Sequence, residues 1–248
     1  MCVNPYKGFV NELGEVIKVA SPLATYVKYN GDSLKVYYDI PSNSNKRIYS
    51  DYIDIPCRNC IECYEIQRIE WSTRAVCEAQ YWSDMCFLTL TYDDSHLKHA
   101  YTTHPDTGEI FDHPTLCHRD FQLFLKRLRK YFNNVKIRFF MCGEYGSRTF
   151  RPHYHCVIYG LNFKSFGDLS IWNGSNPQPI MYRSSLLETL WQNGLCTVQE
   201  CEIATIRYVA GYVDKKLGSE ATMRKKEFYY TTGLVAPYIR SSLGLGIS

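Results

Sequence analysis

The alternation of apolar and polar positions is sharpest from residue 86 onward. "CFLTLTY" (86–92) is β-branched and aromatic and is ended by Asp93-Asp94-Ser95, so a strand is expected there. In "HRDFQLFLKRLRKYF" (118–132), Phe121, Phe124, Leu125, Leu128 and Phe132 recur at helical spacing. Arg127, Arg129 and Lys130 lie largely off that stripe. "VKIRFFMCGEYG" (135–146) and residues 153–160 read as two strands, 184–192 as a short helix and "GLCTVQECE" (194–202) as a strand. "TIRYVAGYVDKKL" (205–217) reads as a helix, with Gly218 as its stop signal. The order β-α-β-β-α-β-α is that of the split βαβ, ferredoxin-like fold with one extra helix. The expected class is therefore α+β, an antiparallel sheet with helices.

The flanks are less patterned. Residues 1–56 are polar, Tyr-rich and broken by Asn, Gly, Ser and Pro, with short strands plausible at 34–40 and 47–55. Residues 64–83 hold no Gly or Pro and suit a helix. Residues 96–117, rich in His, Thr, Pro and Asp, read as a loop, and 167–181 as another. The expected organisation is an N-terminal β-rich extension (1–63) carrying a cysteine cluster, a central domain (64–217) and a basic, then small-residue tail (218–248).

Composition adds limits. The chain has 248 residues and a formal charge of +3, which does not by itself imply nucleic acid. Its 21 tyrosines suit base stacking, and equally suit a tyrosine-rich sheet. Met1 to Val10 lack a secretory pattern, and no stretch approaches the roughly 20 apolar residues of a membrane span. A reducing compartment is expected, with the 11 cysteines as thiols or metal ligands.

Candidate chemistry begins with "RPHYHCVIYG" (151–160). In a strand, residues i and i+2 share a face, so His153 and His155 stand side by side. Seven histidines give roughly 0.2 such pairs by chance. A divalent site wants a third ligand, and Glu144, at the end of the preceding strand, is the candidate that a hairpin carries back to them. Without a metal it is a solvated glutamate at a strand end. Tyr208 and Tyr212 are i and i+4 on the last helix and are neighbours there, with Lys215 in the same arc and Lys216 at its edge. Attack by tyrosine on a phosphodiester keeps the energy needed to rejoin the strand, which water would lose. A phenol of pKa near 10 needs a polarised phosphate or a nearby cation to react at neutral pH. With 21 tyrosines, roughly two Y-x-x-x-Y pairs arise by chance, so this pair carries weight only in combination.

"CRNCIEC" (57–63) is far less probable by chance. Structural Zn²⁺ is the leading reading, on Cys57, Cys60 and Cys63, against three free thiols near a helix start. Four ligands are needed. Cys77 would lie about 21 Å away along a helix, too far, so Cys2 is the expected fourth, because a chain terminus can fold back. An iron–sulfur run would want a cysteine where Gln67 stands.

Together, "CRNCIEC", "CFLTLTYDD", "CGEYGSRTFRPHYH" and "YVAGYVDKK" resemble the HUH endonucleases. Among these the chain is similar to the rolling-circle replication initiators of gokushovirus-type Microviridae, single-stranded DNA phages. The three HUH motifs occur in order over residues 86–217. The resemblance implies Mg²⁺ or Mn²⁺ on His153, His155 and Glu144, with Tyr208 and Tyr212 as alternating nucleophiles. Lys215 and Lys216 would orient or neutralise the phosphate. It implies a site-specific single-strand nickase and strand-transferase, with a single-stranded DNA origin as substrate, in the host cell cytoplasm and away from membranes. No G-x-x-x-x-G-K-[ST] loop occurs, so unwinding is left to a host helicase and replication machinery. Tyr154 departs from the usual aliphatic middle position of the histidine motif and is expected to face away from the metal. The rivals are a ferredoxin-like nucleic-acid-binding module without catalysis, which has no use for the tyrosine helix, and a related HUH transposase or relaxase.

Overall fold

The computed structural model describes residues 2–29, 33–38, 48–49, 51–58, 60–103, 107–172, 180–211 and 228–247. The chain divides into two compact units, residues 1–66 and 67–248.

The first unit is built of short antiparallel strands. β1 (Tyr6–Val10) lies between β2 (Val16–Ala20) and β6 (Tyr52–Ile55), and β3 (Tyr26–Tyr29) lies between β4 (Leu34–Tyr37) and β5 (Ile48–Tyr49). Phe9, Ala20, Ala24 and Val27 form its small core. The strands expected at 34–40 and 47–55 are thus present in shorter form. A chain this polar has few side chains to bury.

The second unit is organised by a seven-stranded sheet. Helix α1 (Ile61–Ala79) precedes β7 (Met85–Thr91), and β8 (Lys98–Thr103) and β9 (Ile110–Thr115) form a hairpin. α2 (His118–Tyr131), β10 (Arg138–Tyr145) and β11 (Pro152–Tyr159) follow. Then come a short 3₁₀ turn (Phe163–Phe166), β12 (Ser170–Ile171), β13 (Tyr182–Arg183) and α3 (Ser185–Trp191). β14 (Cys196–Glu200), α4 (Ile203–Gly211) and β15 (Tyr238–Ser241) complete it. The sheet order is β12-β13-β14-β7-β11-β10-β15, and every pairing is antiparallel. Its centre, β14-β7-β11-β10, is the split βαβ order expected from the sequence.

Because side chains alternate along each strand, the sheet has two separate faces. One carries Leu88, Leu90, Met141, Tyr154, Cys156 and Val198, covered by Phe121, Phe124 and Leu128 of α2 and Leu187 and Trp191 of α3. The other carries Phe87, Phe140, Cys142, Val157 and Tyr159, covered by Ala75 of α1 and by Ile206, Val209 and Ala210 of α4. Gly194 lets the chain pass close to the end of β7. Its φ is +141°, and a Cβ there would stand 2.3 Å from the Asp93 amide nitrogen.

Two expectations need correction. The loop expected at 96–117 contains the β8–β9 hairpin, with Lys98 opposite Thr115 and Thr103 opposite Ile110. Both strands are largely exposed, so they show no hydrophobic alternation, although Tyr101, Thr102, Ile110 and Phe111 are good strand formers. The expected tail also contributes structure. β15 pairs with β10, and Leu234 and Leu245 are buried. The Gly246 amide donates to Glu78 at 2.9 Å, and the Arg74 guanidinium donates to the Leu245 carbonyl at 3.0 Å.

Candidate active site

The face beneath α1 and α4 holds a polar patch in an apolar surround. β10 and β11 pair with Glu144 opposite His153 and Cys142 opposite His155. His155 in turn lies opposite Thr89 of β7. This register and the two-residue period put Glu144, His153, His155 and Thr89 on one side of three adjacent strands.

Their side chains converge. One carboxylate oxygen of Glu144 lies 2.9 Å from His153 Nε2 and 3.1 Å from His155 Nε2. The three candidate ligand atoms all lie within 4.8 Å of one another. Both rings are held from behind, His153 Nδ1 at 3.1 Å from the Arg151 carbonyl and His155 Nδ1 at 3.0 Å from the Thr89 hydroxyl. Such outer contacts fix ring orientation in metal sites. A carbonyl only accepts, so His153 carries its proton on Nδ1. Its Nε2 can then approach a carboxylate only with a second proton, or with a metal ion in that place. Two imidazoles and one carboxylate form a donor set suited to a divalent ion, and the residues fit the group.

Burial opposes ionisation of Glu144, but hydrogen bonds and charge from His153 and His155 outweigh it and hold the carboxyl at about 2. Glu144 is therefore a carboxylate at any physiological pH.

α4 brings in Tyr208. Ile206, Val209 and Ala210 face the sheet and leave Tyr208 42% exposed at the edge of the patch. Its ring lies 5.4 Å from that of His155 and 6.3 Å from that of Phe87. A cavity of about 490 Å³ opens there, lined among others by Phe87, Thr89, His155, Gln199, Thr205 and Tyr208. Glu144, His153, His155 and Tyr208 are thus brought together, whereas Tyr212, Lys215 and Lys216 lie outside the described residues.

Phe87, Thr89 and Gln199 join the site without having been singled out from the sequence. Phe87 stacks on His155 with ring centroids 5.5 Å apart. The period-two alternation of "CFLTLTY" is their signal, since it puts Phe87 and Thr89 on one face. Gln199, from β14, has no comparable mark.

Tyr154 faces away from the patch, as expected. It is fully buried, accepts from the Cys117 amide at 2.9 Å, and lies 2.8 Å from the Cys117 carbonyl and 3.0 Å from the Tyr92 hydroxyl. Tyr92 donates to Asp120 at 3.0 Å. Cys117 is the N-cap of α2 and supplies no side-chain cap, so the Tyr154 hydroxyl takes its place.

Several cations considered as a track for a DNA backbone are engaged within the fold. Arg127 donates to the Leu190 and Trp191 carbonyls at 2.6 and 2.8 Å. Arg138 pairs with buried Glu78 at 2.6 Å, and Arg151 holds the Tyr92 carbonyl at 2.7 Å and the Asp94 carboxylate. Lys130, Lys136 and Arg148 are exposed.

The four cysteines of the first unit also converge. Cys2, Cys57, Cys60 and Cys63 place their sulfurs within 4.8 Å of one another. Among the described residues, no helix is long and apolar enough to cross a membrane.

Comparison with known proteins agrees with this geometry. No solved structure matches the chain. Replication-associated protein ORF4 of Chlamydia phage 1 is 34% identical over 166 residues, 65% of this chain and 38% of that protein. Replication-associated protein VP4 of Bdellovibrio phage phiMH2K is 29% identical over 227 residues, 87% and 58% of the two chains. Replication-associated protein ORF2 of Spiroplasma virus 4 is 30% identical over 226 residues, 88% and 61%. The chain thus spans less than two thirds of the length of these curated relatives. The family model for replication-associated proteins of the ORF2 type matches residues 85–217, a stretch that runs from the first strand of the large sheet through the tyrosine helix. Because that stretch includes Glu144, His153, His155 and Tyr208 and more than half of the sequence, the chain belongs to the ORF2-type family of replication-associated proteins.

Proposed function

We propose that the protein is a site-specific single-strand DNA endonuclease and strand-transferase of the HUH type, which starts rolling-circle replication of a small phage genome. The observation that carries this reading is the convergence of Glu144, His153 and His155 on one point, with the Tyr208 ring 5.4 Å from that of His155. A noncatalytic binding module gains nothing from that arrangement.

His153, His155 and Glu144 would hold Mg²⁺ or Mn²⁺, whose charge polarises a scissile phosphate. Tyr208 is the nucleophile from the described part of α4, and Tyr212 its expected partner. The phenolic oxygen bonds to phosphorus, and the bond from phosphorus to the 3′-oxygen breaks. The 3′-oxygen takes up the proton that the phenol gives up to solvent. The products are a phosphotyrosine and a free 3′-hydroxyl, the end a polymerase extends. Reversal by a new 3′-hydroxyl rejoins the strand, so the phosphodiester energy is conserved. Exposure of Tyr208 suits this role, because the nucleophile must reach a polymer that comes from outside. Lys215 and Lys216 would sit near the phosphate. Phe87, beside the cavity, offers a ring on which an unpaired base can stack. Unwinding is supplied by a host helicase, in the cytoplasm of the infected cell.

The test is cleavage of a labelled single-stranded origin fragment with Mn²⁺ by wild type, Tyr208→Phe, Tyr212→Phe and the double variant. A covalent adduct that needs metal and is lost only in the double variant supports two alternating tyrosines. Loss in one single variant leaves the other tyrosine as a helper. Binding without an adduct in any form overturns the nickase reading in favour of a binding module.

A further inference from the structure

The nicking reaction uses no cysteine, yet the first unit gathers four. Strand pairing explains how. Tyr6 of β1 lies opposite Ile55 of β6, so the chain before β1 and the chain after β6 leave the ladder at the same end. Cys2 precedes that end by four residues and Cys57 follows it by two. Cys60 and Cys63 stand at the start of α1, where the Tyr64 amide already bonds the Cys60 carbonyl at 3.1 Å. Two distant stretches are thus brought to one point by backbone register alone.

The sulfur spacing identifies what fits. Four thiolates around one zinc at about 2.3 Å stand at tetrahedron corners with edges of about 3.8 Å. Here the Cys2 and Cys60 sulfurs are 3.8 Å apart and the Cys57 and Cys63 sulfurs 3.9 Å apart. A disulfide needs about 2.05 Å, and all four cysteines are free. The environment also suits thiolates. The Cys57 amide donates to the Cys2 sulfur at 3.3 Å, and the Arg58 amide bonds the Cys63 sulfur. Arg58 holds φ of +58°, a strained setting for a non-glycine residue that persists only where its surroundings over-determine it. The first turn of a helix favours negative charge.

We propose that Cys2, Cys57, Cys60 and Cys63 bind one structural zinc ion. An all-sulfur set rejects the hard cations suited to the histidine site, and four protein ligands leave no open position for substrate. The ion ties the segment before β1 to the start of α1. This site is independent of the nicking reaction.

The full chain is expressed with zinc, purified with reductant and passed through a mild chelator, and its metal is counted by mass spectrometry. One zinc per chain is expected. His153→Ala with His155→Ala retains it, Cys77→Ser retains it, and Cys2→Ser loses it. Cobalt reconstitution gives a sulfur-to-metal charge-transfer band that the histidine site cannot produce. Should Cys2→Ser fail to fold, alkylation of wild type decides. Zinc protects these four cysteines, and its removal by a strong chelator exposes them together. A metal-free wild type, one bound iron in place of zinc, an unchanged cobalt spectrum in folded Cys2→Ser, or equal alkylation with and without zinc each overturns the assignment.

Discussion

Replacing Tyr154 by Phe separates the scaffold of the candidate site from its chemistry. The ring stays, so packing against Tyr92, Phe121 and Trp191 is kept and no cavity opens. What goes is one hydroxyl that accepts from the Cys117 amide and reaches the Cys117 carbonyl and Tyr92. Tyr92 keeps Asp120, so the principal orphan is the Cys117 N–H at the start of α2. Leaving one such donor unsatisfied costs about 1–3 kcal/mol. For a domain of this size each kcal/mol lowers Tm by about 2–4 °C, so a fall of roughly 3–10 °C is expected. Thermal unfolding by circular dichroism measures it, and amide exchange should show the first turn of α2 opening more often. Mn²⁺ affinity should stay at the wild-type value, because Tyr154 and its histidine neighbours point to opposite faces. An unchanged Tm would refute the capping role, and a drop in Mn²⁺ affinity would refute the separation of the two faces.

Glu144→Gln keeps the shape of the site and removes its charge, so Mn²⁺ binding by calorimetry should weaken at least about tenfold, the lower range found for lesser outer-shell losses. Arg138→Met leaves buried Glu78 without its ion partner and should cost about 3–5 kcal/mol in chemical denaturation; a loss under about 1 kcal/mol would show that the Gly246 amide and the Trp82 indole suffice. Burial works against ionised Glu78, but the Gly246 amide, Trp82 and Arg138 prevail and hold its carboxyl below the usual range. The linked stability is fully present above the ordinary carboxylate pKa and is lost as pH falls through the lowered one, and Glu78→Gln should flatten the wild-type stability profile in that acid window. Arg127→Ala should lower Tm by exposing the α3 terminus while leaving the salt dependence of DNA binding unchanged; a shallower salt slope would instead make Arg127 a phosphate contact.

The sequence is most informative where one face of an element is buried and least where both are wet. The α2 stripe and the strands β7, β10 and β11 each carry an apolar face, and their boundaries differ from the pattern by only a few residues. β8 and β9 are nearly as polar on one face as on the other, and in sequence they look like loop. β15 escapes the pattern because it is four residues long and follows a polar, basic run. Its place in the sheet depends on β10, far away in sequence. The histidine-carboxylate site is legible because strand period and hairpin pairing are local rules. The functions of Arg127, Arg138 and Arg151 are not, since a charge on a helix or strand looks the same whether it meets solvent or a distant carbonyl.

The pairing of Gly143 with Tyr238 in β15 has a consequence for synthesis. A growing chain completes β10 and its histidine partner strand long before the ribosome has made β14, the tyrosine helix or the strand that covers β10. Contacts between distant segments form slowly and late. The sheet edge beside Glu144 therefore stays open until residues 238–241 emerge, and Glu78 waits for the Gly246 amide. Translation thus acts as a timer: the nascent chain holds its metal ligands early but is assembled only near the end of its synthesis.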